Sequence, residues 1–298
     1  MANLTQKGTL FPEKLVSEMF NNVKGHSALA LLSGEAPIPF NGNEIMTFSM
    51  GGEAEIVGEG SQKSPGDATV GTVAITPVKF VYQHRVSDEF VRASEEDQVP
   101  YLKAFADGFA KKMARALDIA AFHGVNPATS TIASTVSGKS FDALVTQETL
   151  YTPAKADENI DDAVATILAA DGTVSGIAMT PAFGAALAKI KANGAIQYPE
   201  FRFGASPKTF FNMGVDVNST VGFGESKDVA IVGDFANAFR WGYAANVPLE
   251  VIAYGDPDGQ GDLKRKNQVV LRAEAYIGWG ILDASAFNRI VTELTDGD

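Results

Sequence analysis

Residues 99–124, VPYLKAFADGFAKKMARALDIAAFHG, decide how the rest of the chain is organised. Leu102, Phe105, Phe109, Met113, Ala116, Leu117 and Ala120 recur at spacings of three and four, the period of one buried helix face. Asp97 is placed to cap this helix, Pro100 suits its first turn and Gly124 supplies the stop. At 1.5 Å per residue a helix over 99–122 is roughly 36 Å long, long for a globular protein. Lys103, Asp107, Lys111, Lys112, Arg115 and Asp118 mark the other face, which reads as solvated.

Upstream of the helix, residues 72–87 (TVAITPVKFVYQHRVS) read as one long strand and residues 44–50 (EIMTFSM) as a shorter one. Between them runs GGEAEIVGEGSQKSPGDATVG, rich in glycine and charge, with little to bury. Two strands joined by about twenty such residues predict a long hairpin projecting from the body, and connections of that length are usually functional. An isolated hairpin is only marginally stable in water, so this one gains order by lying on another subunit. The plainer alternative is a mobile surface loop. Further upstream, Pro12 fits a first helical turn and Leu15, Val16, Met19 and Phe20 form one apolar stripe. A short helix ending near Gly25 is expected there. Pro37 and Pro39 then impose an extended strap ending at Phe40. Such an arm needs a partner, either its own subunit or a neighbour.

Downstream, residues 125–155 are rich in Ser, Thr, Gly and Ala and predict turns and short strands. A second unit begins with an amphipathic helix over 159–170, burying Ile160, Val164, Ile167 and Leu168. A strand at 176–180, a helix over 181–192 stopped by Asn193 and Gly194, and strands at 228–233 and 247–254 follow. This alternation implies an α/β layer over 157–255 inside a chain that is α+β overall. DPDGQGD at 256–262 is a turn cluster, and 267–275 (NQVVLRAEA) returns to strand.

The composition narrows the chemistry. The chain has 298 residues, 45% apolar, a formal charge of -12 and no cysteine. Disulfides, thiolate nucleophiles and cysteine-bound metals are excluded. The acidic balance argues against a sequence-specific DNA reader. No run of about 18 apolar residues suggests a membrane span. The amino terminus lacks the basic start and apolar block of a secretion signal, so synthesis and retention in a cytoplasm are expected. His26, His84 and His123 show no metal-pair spacing. GEGSQKSPG at 58–66 has neither the spacing of a phosphate loop nor a helix behind it. Asp256, Asp258 and Gln260 open a calcium-loop pattern, but Pro257 intrudes and the twelfth position is Asn267, so a solvated turn is expected. Glu53, Glu55 and Glu59 cluster in the projecting loop, where nothing would bury them, and read as surface acids. No catalytic set, cofactor site or metal site is expected.

Three collinear segments carry a resemblance. AEIVGEG at 54–60 is followed by VAITPVKF at 73–80 and VSDEFVRAS at 86–94. The helix ends in ALDIAAFHG at 116–124, within an A-x-x-x-D-x-A-x-x-x-G pattern. NQVVLRAEAYIGWG at 267–280 is followed by Asp283, Ala286 and Phe287. In this order they resemble the major capsid proteins of tailed bacteriophages, whose fold is of the Hong Kong 97 type.

The resemblance implies an N-terminal arm at 1–43 and a strand with an extended loop at 44–72. It further implies a peripheral domain from 73–155 and 256–298 around a spine helix at 99–122, with an axial domain at 157–255. The function implied is a non-enzymatic subunit that self-assembles into hexamers and pentamers of an icosahedral shell around double-stranded DNA, without membrane or cofactor. Glu53, Glu55, Glu59 and Lys63 in the loop, and Phe11, Leu15, Met19, Phe20 and Phe40 in the arm, are the expected inter-subunit contacts. A separate scaffolding protein, a portal and decoration proteins are the further partners implied, and the virion, assembled in the host cytoplasm, is the expected location. Encapsulin shells share the fold and are the alternative within the class. A soluble α/β enzyme with a crevice in 157–255 is the alternative outside it, and a virion tail component a third reading.

Overall fold

The computed structural model describes residues 27–91, 95–246 and 250–295. Helix α1 (Ala28–Leu32) opens the described chain, with Ser27 as its cap. Strands β1 (Asn43–Gly51) and β2 (Asp67–Ile75) form an antiparallel ribbon with nine paired positions, from Asn43 opposite Ile75 to Gly51 opposite Asp67. The single strand expected over 72–87 is in fact two. Pro77 has no N–H to give to a ladder, and the chain breaks there before β3 (Val78–Ser87), which joins a different sheet.

A short helix, α2 (Asp88–Val91), leads to the long helix α3 (Glu95–His123), 29 residues. It starts four residues before the expected point, so Asp97 lies inside the helix instead of capping it. Phe109, Met113, Ala116, Leu117 and Ala120 are buried, as the spacing requires. Turns and the helix α4 (Phe141–Leu144) lead to strand β4 (Glu148–Leu150).

Helix α5 (Ala156–Ala169), strand β5 (Gly176–Met179) and helix α6 (Pro181–Leu187) follow. Helix α6 is shorter than expected. Asn193 and Gly194, at φ 51° and 82°, form a tight turn between β6 (Lys191–Ala192) and β7 (Ala195–Ile196). Paired positive φ angles are what a two-residue hairpin needs, so Asn-Gly serves as a hairpin turn and not as a helix stop. Then come β8 (Thr209–Phe210), β9 (Met213–Val217), β10 (Asp228–Gly233), helix α7 (Phe235–Ala238), β11 (Phe239–Asn246) and β12 (Glu250–Ile252). The chain closes with β13 (Gln268–Ile281) and β14 (Phe287–Val291).

Two larger sheets result. In one, β13 lies between β11 and β12 on one side and β3 on the other, all antiparallel. The other is six-stranded and mixed, in the order β4-β14-β10-β5-β9-β8. Sheet boundaries do not follow the expected division at 157 and 255. Strands β11 and β12 leave the 157–255 stretch to pair with β13, while β4 and β14 enter the six-stranded sheet from outside it. Strand β11 (FRWGYAAN) escaped sequence reading because it has neither clean alternation nor a solid apolar run, although Trp241 is fully buried.

The larger core gathers α1, the end of α3 and the face of β13. Phe141 sits at its centre, with rings of Phe122, Phe235, Phe239 and Phe287 at 5.0 to 6.1 Å. A second core fills the space between α5, α6 and the six-stranded sheet.

Candidate assembly interface

Alternation along the β1–β2 ribbon sorts its side chains onto two faces. On one face, Ile75 is buried at the ribbon's base against the backbone of β13. Built Cβ atoms on Gly278 and Gly280 would come within 3.1 and 2.9 Å of Ile75, so glycines at these positions admit it. On the other face, Met46 lies opposite Thr72, Phe48 opposite Val70 and Met50 opposite Ala68. Met46, Phe48, Met50 and Val70 are 72%, 65%, 75% and 57% exposed. Four large apolar side chains side by side on one exposed face form an apolar strip of the kind that interaction surfaces carry. Fully burying one such side chain contributes about 1.5–3 kcal/mol.

Beyond the strip, residues 52–66 form the loop between the strands, exposed throughout, with the Ile56 side chain wholly in solvent. Glu53, Glu59 and Lys63 stand in this loop, as the sequence implies. Glu55 accepts the Ser64 N–H at 3.0 Å, and that bond holds its carboxyl below the usual range. The apolar strip beside them went unread, although the alternation of EIMTFSM encodes it.

The strap behaves differently. Ala36 N–H donates to Trp241 O at 2.9 Å and Ile38 N–H to Tyr243 O at 3.3 Å, with Ile38 buried. Residues 35–38 are therefore bound to β11 of their own subunit. Phe40 is 59% exposed and stacks edge-on against Tyr276 at 5.0 Å. Phe11, Leu15, Met19 and Phe20 lie outside the described residues.

Where the strap begins, the structure corrects a second expectation. Asp118, read as solvated, is completely buried. It accepts Ala28 N–H at 2.9 Å, Leu29 N–H at 3.3 Å, Thr220 Oγ1–H at 2.9 Å, Asn218 Nδ2–H at 3.4 Å and the Ser27 hydroxyl. One carboxylate thus caps α1 and ties it to α3 and to the 218–220 turn. Burial outweighs the five donors and pushes its pKa up to about 6. Asp118 is the acid of the pattern quoted above. A hint lay in its spacing from Ala114 and Ala121, both fully buried.

A buried charged cluster lies nearby. Arg289 on β14 reaches Asp228 Oδ1 through Nε at 3.0 Å and Nη2 at 2.9 Å, and Glu148 Oε1 through Nη1 at 3.1 Å. Its Nη2 is 3.3 Å from Asp142 Oδ1. His123, at the end of α3, faces Asp142 Oδ2 with Nδ1 at 3.0 Å and the Thr220 carbonyl with Nε2 at 2.9 Å. Both ring nitrogens face oxygen acceptors, an arrangement that favours the doubly protonated ring. Burial opposes that charge, yet Asp142 and Asp228 hold the imidazole above its ordinary pKa.

Two cations then face three carboxylates. One proton on Asp228 balances the charge. Asp228 Oδ2 is buried without a hydrogen-bond partner, which is where such a proton fits. Accordingly burial, with Asp142 alongside, pushes Asp228 up to about 7. His123, Asp142 and Asp228 are the sort of trio that can hold a metal, but Arg289 already supplies the positive charge. The cluster joins α3, α4, β4, β10 and β14, and reads as structural.

The 256–262 turn also encloses a side-chain cation. Arg85 donates to Asp258 Oδ2 at 2.8 Å, to Gly261 O at 2.8 Å and to Asp256 Oδ1 at 3.2 Å. Its guanidinium holds Asp258 down to about 2. The carboxylates read as a solvated turn thus grip an arginine from β3. Among the described residues, no helix is long and apolar enough to cross a membrane.

Residues 8–292 match the model of the phage capsid family. A solved structure from Mycobacterium phage Ogopogo shares 34% identity at a TM-score of 0.76, covering 89% of this chain and 92% of its own. One from Gordonia phage Cozz shares 25% identity at a TM-score of 0.74, covering 89% and 86%. The capsid of a native GTA particle, computed with C5 symmetry, has the same fold at 16% identity and a TM-score of 0.61, covering 89% and 90%. No curated relative matches the chain. The fold is therefore of the Hong Kong 97 type that the three collinear segments resemble, and a match running through ribbon, long helix and closing strands places the chain in the phage capsid family.

Proposed function

We propose that this chain builds an icosahedral phage shell as hexamers and pentamers, each copy laying its β1–β2 ribbon across an adjacent copy. The observation that carries this reading is the strip of Met46, Phe48, Met50 and Val70, paired in register and uncovered by the subunit's own body. Glu53, Glu55, Glu59 and Lys63 continue the contact along the loop, and Phe11, Leu15, Met19, Phe20 and Phe40 contribute from the arm. Interfaces of about 1,000 Å² and upward, repeated around closed rings, make a strong shell from ordinary contacts. The work is done by surfaces, without catalysis. The net charge of -12 limits adhesion of the enclosed double-stranded DNA to the wall. A scaffolding protein, a portal and decoration proteins are its further partners, and assembly takes place in the host cytoplasm. Neither the encapsulin nor the soluble-enzyme alternative is favoured by these relatives.

The test is negative-stain imaging and sedimentation of the purified chain beside its Phe48→Ser/Met50→Ser variant. Closed shells from the parent chain and unassembled, folded subunits from the variant are expected. Equal assembly by both would remove the ribbon from the mechanism, and a small stable oligomer from the parent would overturn the reading itself.

A further inference from the structure

One exposed feature of the 157–255 stretch lies outside the β1–β2 ribbon. Phe201 is buried and stacks on Phe210 at 5.3 Å. Immediately after it the chain turns through Phe203 at φ 57° and Gly204 at φ 76°. A bulky aromatic at positive φ is a genuine outlier, and such geometry persists where function holds it. The turn stands the Phe203 ring in solvent, 95% exposed, with the Arg202 guanidinium 4.8 Å from its centroid. Arg202 and Phe203 form a finger with an aromatic tip and a positive charge.

Beside Phe210 the same chain offers a matching recess. A groove of about 360 Å³ is floored by Ile160, Val164, Phe210 and Met213. Leu168 and Phe211 stand exposed at its edge. Asp157 and Asp161 bring negative charge to it, and Tyr198 donates to Asp157 Oδ2 at 3.1 Å, which fixes one of the two. The stacked Phe201–Phe210 pair stands between finger and groove, since Phe201 borders the finger's side and Phe210 the groove's. The exposure of Phe203 shows that the finger does not enter its own groove.

We infer that the finger of one copy enters this groove on a second copy, Phe203 on the apolar floor and Arg202 at Asp157 and Asp161. The occupant is another copy of this chain because both halves of the contact, apolar and charged, are present on one chain at different places. A heterologous contact of this kind passes from copy to copy and closes into a ring when the rotation allows. It is a second contact, independent of the ribbon, and it rests on the reading of the chain as a shell subunit.

Three variants of the full chain test it: Arg202→Glu, Asp161→Arg and the two combined, with Phe203→Ser beside them. All three substituted positions are exposed, so unchanged thermal melting checks the fold. Loss of an aromatic anchor weakens a contact by about thirtyfold, equivalent to about 2 kcal/mol, and the loss is multiplied around a ring. Each single variant is therefore expected to lower the yield of closed shells at least tenfold, and the charge exchange to restore most of it. If the parent chain forms shells and Phe203→Ser forms them equally well, the finger is not a contact and the ribbon reading stands untouched. If both charge variants fail and their combination fails too, the pairing of Arg202 with Asp161 is wrong. If the parent chain forms no shell, the wider reading falls and this one with it.

Discussion

Replacing Arg289 with methionine keeps the length of the side chain and removes the one guanidinium among three carboxylates. Arg289 is almost wholly buried and touches Asp228, Glu148 and Asp142 within 3.3 Å. Removing one partner from a buried ion pair costs about 3–5 kcal/mol, because the other charge is left without compensation. Total stability is typically about 5–15 kcal/mol, so the variant loses a large share of it.

The sign of its pH dependence follows from the cluster's charge. Asp228 has its pKa raised by folding, so its contribution is fully present below the ordinary carboxylate value and is lost as pH rises through about 7. Without Arg289 nothing but His123 opposes the three acids, and the folded pKa of Asp228 climbs further. The deficit of Arg289→Met is therefore larger at about pH 8.5 than at about pH 5.5. Urea unfolding of the dissociated subunit, followed by fluorescence of the buried Trp241 and Trp279, reads both values. A second change, Asp228→Asn, removes the charge that high pH would place on Asp228 and recovers part of the loss at about pH 8.5. A deficit below about 1 kcal/mol, or one that does not change with pH, would refute the charge count.

Other perturbations follow from single contacts. A Cβ on Gly242 would fall 1.7 Å from Ala36 O, so Gly242→Ala displaces the strap from β11, and hydrogen exchange at the Ala36 and Ile38 amides should rise while the core stays protected. Phe141→Ala opens a cavity among four aromatic rings and should cost about 3–5 kcal/mol in denaturant unfolding, whereas the exposed Phe203→Ser should cost almost nothing. Asp118→Ala strands the Ala28, Leu29 and Thr220 donors at about 1–3 kcal/mol each, and should expose the Ala28–Leu32 segment to proteolysis before the body unfolds.

The sequence alone determined what depends on near neighbours in the chain. The period of Phe109, Met113, Ala116 and Leu117 specifies the long helix, the prolines at 37 and 39 specify an extended strap, and the composition of 51–66 specifies a ribbon tip with nothing to bury. The collinear segments carried the family. What only the tertiary structure decided concerns partners far apart in sequence. Asp118 looked like one more acid on a solvated face, because nothing local reveals that Ser27, Ala28 and Thr220 will converge on it. His123, Asp142, Asp228 and Arg289 come from four separate elements, and no spacing rule joins them. Strand β11 was hidden for the same reason, since its burial comes from β13 and from the strap instead of from its own pattern. Periodicity reports which way a side chain faces along its own element, whereas the partner of a buried charge, and the sheet a strand joins, are fixed only when distant segments pack.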